Sequence, residues 1–181
     1  MAALVVALIL AGQAIFLVRS IGSGTLTAGT STLHGSLTQR VNSVVAGALG
    51  PSDRGVPRFR VTSIKRERAD RRLIDIAMTW AINNDLSAGT IGSGAAADVY
   101  TVLRDLYTAN LSVGTVSLDG TYPLRKGSGP SRETVVMRLV MPRSVAAMVN
   151  AAGWDSLDVQ TFWPLVHRLY VDPQFQPLPS E

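Results

Sequence analysis

The chain contains no cysteine. That excludes disulfides, thiolate-held metals, iron–sulfur clusters and cysteine nucleophiles. Histidine occurs only as His34 and His167, and neither has a second ligand at a metal-binding spacing such as His-Glu-x-x-His. Glutamate occurs only as Glu67, Glu133 and Glu181, so a glycosidase-like carboxylate pair would draw mainly on Asp75, Asp85, Asp98 or Asp155. Three of these aspartates have structural readings: Asp75 on the polar face of a strand, Asp85 in its closing turn, and Asp98 in a first helical turn, where the dipole favours a negative charge. No Gly-x-Ser-x-Gly elbow occurs. Gly92-Ser93-Gly94 precedes a helical pattern and resembles an anion-binding turn, but it lacks a P-loop lysine and reads as a plain helix entry. The sequence therefore offers no catalytic residue, no metal ligand set and no cofactor site, and it points away from an enzyme.

Charge of either sign is also sparse, at 17% of 181 residues, and the mean hydropathy is +0.22. Apolar residues reach 46%, which excludes global disorder. The length suits one domain with some additional chain. Lys and Arg outnumber Asp and Glu by 17 to 13, a balance too mild for a dedicated nucleic-acid protein.

The N-terminus accounts for the hydropathy. Ala2–Val18 carries no charge and one strongly polar side chain, Gln13. Extended by Met1 and Ser20–Ile21, the run approaches the length needed to cross a hydrocarbon core of about 30 Å. No basic n-region precedes it, it outruns a signal-peptide core, and Arg19 follows at once. These features favour an uncleaved anchor helix at residues 1–21 over a signal peptide. Ala7, Ala11 and Gly12 form a small-residue patch, and Gln13 is costly against lipid, so this helix is expected to pack on another membrane helix. Arg19 alone, by the positive-inside rule, would place the following domain in the cytoplasm.

Residues 22–57 read as a linker rich in Gly, Ser and Thr. Leu33, Leu37, Val41, Val44, Val45 and Leu49 predict an amphipathic helix within it, over about 33–49, stopped by Gly50–Pro51. The globular domain is expected at 58–181. Phe59, Val61 and Ser63 alternate with polar residues as a first strand, and Ile74, Ile76, Met78, Trp80 and Ile82 form a second with the strongest period of two in the chain. Ser93 is expected to cap a helix whose apolar face carries Ala95, Val99, Val102, Leu103 and Leu106. Strands follow at Val116–Tyr122 and Val135–Met141, then a helix capped by Ser144 and ended by Gly153. The Pro-rich tail from Trp154 is expected to wrap over the sheet. The order β-β-α-β-β-α, with hairpin-length connections, predicts an α+β domain with a mostly antiparallel sheet covered by helix on one face. Trp80 should be buried beneath Val99, Leu103 and Leu106.

One electrostatic feature stands out. Arg54, Arg58, Arg60, Lys65, Arg66, Arg68, Arg71 and Arg72 place eight of the 17 basic residues within 19 positions. Lys65, Arg66, Arg68, Arg71 and Arg72 fall at the tip of the first hairpin, where they are candidates to touch an acidic partner or anionic lipid headgroups. Only Phe59 is available nearby for base stacking, which disfavours nucleic acid.

Several short runs carry a resemblance. Trp80-Ala81-Ile82-Asn83-Asn84-Asp85-Leu86 resembles the W-A-I-N-D-N-L core of an uncharacterised bacterial domain found in membrane-anchored proteins and lipoproteins. Gly94-Ala95-Ala96-Ala97-Asp98 is similar to its G-A-x-x-D helix start, and Gly120-Thr121-Tyr122-Pro123-Leu124 to its G-T-F-P-L. Trp154 and Asp172-Pro173-Gln174-Phe175 resemble its closing elements, so the likeness covers roughly 72–176. It implies an extracytoplasmic, membrane-tethered domain and outweighs Arg19 in the orientation; it implies no catalytic residues. The expectation for function is a membrane-anchored extracytoplasmic interaction domain, a non-catalytic accessory subunit with protein partners in a larger membrane or cell-surface assembly. The alternatives are a self-assembling surface or filament subunit whose apolar helix forms a polymer core, and, less favoured, an aspartate-dependent hydrolase.

Overall fold

The structure, a computed structural model, describes residues 35–53, 55–83, 90–125 and 129–177. The expected anchor at 1–21, with Ala7, Ala11, Gly12 and Gln13, lies outside these residues, as do His34, Arg54 and Asp85. In chain order the elements are helix α1 (Leu37–Leu49), a short ladder of β1 (Ser52–Asp53) with β2 (Val56–Pro57), strands β3 (Phe59–Arg66) and β4 (Ile74–Ala81), helix α2 (Ile91–Thr108), strands β5 (Val113–Leu124) and β6 (Arg132–Pro142), helix α3 (Arg143–Ala152), the short helix α4 (Val159–Phe162) and strand β7 (His167–Val171). The fold is α+β. Among the described residues a five-stranded sheet runs β3-β4-β5-β6-β7, every pair antiparallel except β4 with β5. That parallel pair cannot be joined by a tight turn, and α2 supplies the long connection it requires.

Alternation builds the centre of the sheet. Ile74, Ile76, Met78 and Trp80 are buried on one face of β4, while Asp75, Ala77, Thr79 and Ala81 are half-buried on the other. Val116 and Leu118 of β5 and Met137, Leu139 and Met141 of β6 join the first set. The helices cover this face: Val99, Leu103 and Leu106 of α2 and Val145, Ala146 and Val149 of α3 belong to the same apolar core. Trp80 is only 2% exposed. Its ring lies over Gly120, where a Cβ would sit 2.7 Å from Trp80 Cη2, so glycine is what lets the indole close on the neighbouring strand.

Two bulges re-aim side chains that simple alternation would misplace. Val61 opposes Met78 but Ser63 opposes Ala77, so Thr62 is the extra residue; Ser63 turns to the uncovered face and Ile64 takes its place opposite Ile76. In β6, Met137 opposes Gly120 and Val135 opposes Thr121, which sends Val135 to the uncovered face and leaves Val136 buried in the bulge.

Other expectations need correction. The helix expected at 33–49 is α1, started by a capping box in which Ser36 and Gln39 bond reciprocally to each other's backbone. It is not linker: Val41 and Val45 are fully buried and Leu49 nearly so, in the same core as the sheet. The compact unit accordingly begins at Gly35 rather than at residue 58. Neither expected serine cap forms. α2 begins two residues before Ser93, at Ile91, and α3 begins at Arg143 with Pro142 in the cap position. Gly153 does end α3, with φ of 87°. The tail does not merely wrap; it adds β7 to the edge of the sheet and buries Phe162, Trp163 and Phe175.

Trp80 Nε1 finds no hydrogen-bond acceptor among the described residues, so the side chain acts through apolar contact alone. Trp80→Ala should therefore lower unfolding free energy by about 3–5 kcal/mol, and Trp80→Phe, which forfeits area but no hydrogen bond, by clearly less. Gly120→Ala should cost about 1–3 kcal/mol through overpacking against the same ring. Denaturant unfolding followed by circular dichroism measures all three.

Candidate functional site

The turn joining β3 to β4 is a small rigid frame. The Glu67 N–H donates to the Leu73 carbonyl (3.0 Å), and the Leu73 N–H donates to the Asp70 carbonyl (2.9 Å). Arg72 clasps the Asp70 carboxylate through its backbone N–H (3.0 Å), Nε and Nη2 (both 3.1 Å). Those hydrogen bonds hold the Asp70 carboxyl below its ordinary pKa, with the charges of Arg72 and Arg143 adding to them. Arg66 Nη1 donates to the Arg71 carbonyl (2.6 Å). Lys65, Arg66, Arg68, Arg71 and Arg72 are all exposed, and among the described residues only Arg72 of the five forms an ion pair. Arg66, Arg68 and Arg71 border an open hollow of about 520 Å³ with Glu67.

Glu67 itself is half-buried and drawn away. A Cβ on Gly114 would lie 2.9 Å from Glu67 Oε2 and 3.1 Å from Asp75 Oδ1, so the glycine makes room for both carboxylates at the start of β5. Asp75 is occupied there: its Oδ1 accepts the Thr115 N–H (3.0 Å). This fixes β5 against β4 where their register is irregular.

Elements distant in sequence converge on the same end of the sheet. The Ile74 N–H donates to the Ser112 carbonyl (3.1 Å) in the connection from α2 to β5. Arg143, at the start of α3, donates from Nη1 to the Val113 carbonyl (3.3 Å). Arg40, in the first turn of α1, donates from Nη2 to the Asn110 carbonyl. Tyr107 donates its hydroxyl to the carbonyls of Met141 and Gly114, and burial pushes its pKa above the ordinary tyrosine value. The hairpin, the exposed Arg143 and the half-buried Arg40 therefore make one basic end of the domain. Because α1 meets the C-terminal end of α2 through Arg40, the described chain enters the domain at this end.

At the opposite end one arginine is neutralised within the fold. Arg58, expected in the solvated cluster, is instead a clamp: Nη1 donates to the Leu49 carbonyl (2.7 Å) and Nη2 to Asp98 Oδ2 (2.8 Å), tying α1, β3 and α2 together. Asp98 lies beyond the first turn of α2, so the dipole does not explain it; burial raises its carboxyl pKa while Arg58 pulls the other way. Gly92 is pressed against the C-terminal segment, where a Cβ would stand 2.3 Å from the Gln176 carbonyl oxygen. A carbonyl thus faces the stretch that sequence offered as an anion-binding turn. An apolar groove of about 560 Å³ opens on the uncovered sheet face between Val56, Pro57, Thr79, Ala81 and Thr121, with Arg60 and Glu133 at its margin.

The remaining candidates do not come together. Asp155 is exposed in a turn at Trp154–Ser156, and His167 is exposed on β7. Among the described residues no three His, Asp or Glu side chains are grouped to hold a metal ion, and no helix is long and apolar enough to cross a membrane. No family model, curated protein or solved structure matches the chain. The runs that carry the resemblance make packing contacts: Thr121 Oγ1 donates to the Trp80 carbonyl (3.2 Å), Trp154 Nε1 donates to Asn150, and Phe175 meets Tyr122 edge-on at 5.0 Å.

The sign for Asp98 follows from its raised pKa: the native state holds the proton more tightly than the unfolded chain. Its contribution is fully present below the ordinary value of about 3.9 and is lost as pH rises through the folded pKa. The stability of the wild type relative to Asp98→Asn should therefore fall as the pH rises from below that ordinary value toward neutrality. Paired urea titrations across that range measure it, and a flat difference would remove the burial argument.

Proposed function

We propose that the protein is a membrane-tethered, extracytoplasmic interaction domain that serves as a non-catalytic accessory subunit of a larger assembly. The observation that carries this reading is the distribution of exposed groups on the described domain. They are apolar side chains at the surface, of a kind that supports the contact-surface reading. The edge strand β7 exposes Leu169 at 70% and Tyr170 at 46%. Met148 on α3 and Val56 beside the apolar groove are similarly exposed, at 62% and 63%. Apolar exposure of this kind, at several places rimmed by polar residues, is what a domain with protein neighbours presents. Two of the aspartates that a hydrolase would draw on are committed elsewhere, Asp75 to the β5 backbone and Asp98 to Arg58. The uncharged run at Ala2–Val18 supports the tether.

The full chain, extracted from its native membranes in mild detergent after in situ crosslinking, should run as a complex larger than the monomer. Crosslinks should map to β7 and to the Val56 groove, and Leu169→Glu should weaken the complex by about tenfold or more through loss of an apolar contact. A strictly monomeric species with no crosslinked neighbour would overturn the accessory-subunit reading. Regular filaments in electron micrographs would move the assignment to a polymer subunit.

A further inference from the structure

The basic end of the domain has a direction built into it. Five exposed cations lie between Lys65 and Arg72, the exposed Arg143 extends them, and of the nearby acids Asp70 is bound to Arg72 while Glu67 and Asp75 crowd at Gly114. α1 starts at this same end, so the first described residues of the domain lie at the hairpin end. At the far end Arg58 is held in an ion pair, and among the described residues the exposed arginines there, Arg60, Arg125 and Arg132, are divided between β3 and the β5–β6 connection, with Glu133 next to Arg132, rather than gathered on one turn. On the tethered reading above, we propose that the hairpin end faces the bilayer and that Lys65, Arg66, Arg68 and Arg71 lie on anionic phospholipid headgroups.

The surface chemistry favours lipid over protein. Protein hot spots centre on a buried aromatic or aliphatic anchor. The exposed part of this turn has no such anchor; between the cations it offers only Ala69. Its hollow is wide and open rather than a fitted pocket. Long cationic side chains around a protruding turn suit an array of phosphates. Arginine fits that array by bidentate hydrogen bonding, and each cation close to an anionic surface strengthens the contact. Asp70, held ionised by Arg72, lowers the local charge by one and keeps the turn folded while the other four cations remain available.

The lack of cysteine makes the test clean, because one introduced thiol reports on one place. Ala69→Cys at the turn, or Gln174→Cys at the far end, is labelled with a donor fluorophore in the full chain. The chain is then placed in nanodiscs of phosphatidylcholine, with or without phosphatidylglycerol, carrying acceptor-labelled headgroups. Energy transfer from position 69 should rise in anionic discs, exceed that from position 174, and fall in about 0.5 M salt as screening shortens. Arg68→Gln and Arg71→Gln should each shift the contact equilibrium roughly fivefold toward the free state. Equal transfer from position 69 in neutral and anionic discs overturns the orientation while leaving the tether intact. Failure of the chain to enter discs at all overturns the tether and the orientation with it. A label that is remote from both bilayers but responds to added poly-glutamate assigns the hairpin to an acidic protein and overturns the lipid assignment.

Discussion

The closure of Trp80 onto Gly120 is the contact around which the domain is arranged. It lies between the two parallel strands, the only pair in the sheet that the chain cannot make with a tight turn. Because the connection must leave the sheet and return, α2 crosses the β4–β5 face, and its buried residues belong to the same core as the indole. The β5–β6 bulge follows at Gly120–Thr121, so the strand changes pairing phase where its side chain has been deleted to admit the ring. Core, crossover and bulge thus meet at one aromatic residue on a central strand.

The helices around that core are held by a different kind of interaction. Arg58 binds the end of α1 and the side of α2 with one guanidinium, and Arg40 repeats the arrangement at the other end of the same helix pair. Both arginines therefore fix the position of a helix that sequence alone marks only as amphipathic. The five hairpin cations are not used this way. Within one cluster of like charge, Arg58 joins elements distant in the chain, whereas Arg66 and Arg72 bond only within their own turn.

That distinction also marks what was legible in the sequence. The alternation of Ile74, Ile76, Met78 and Trp80 identifies a buried strand face because period two follows directly from backbone geometry. The buried stripe of α2 is legible for the analogous reason at helical period. The membership of α1 in the core was not legible, since a Gly- and Thr-rich approach hides the fact that Val41 and Val45 meet a distant surface. Bulges at Thr62 and Val136 escape for a physical reason as well: they are set by how two strands twist against each other, not by either strand alone. The hairpin cations could be read from their spacing. Their union with Arg143 and with the start of α1 depends on three connections folding back to one end.

The meeting of Gly92 with the Gln176 carbonyl has a kinetic meaning. It joins the first turn of α2 to nearly the last described residues, and Phe175 seals Tyr122 immediately beside it. Contacts so far apart in the chain carry a large loop-closure cost and form late. During synthesis the start of α2 and one end of β5 must wait, uncovered, until Phe175 and Gln176 have been made. The domain therefore behaves like a box whose lid is made after its walls, and a chain cut just before Phe175 would keep its sheet while leaving that corner open.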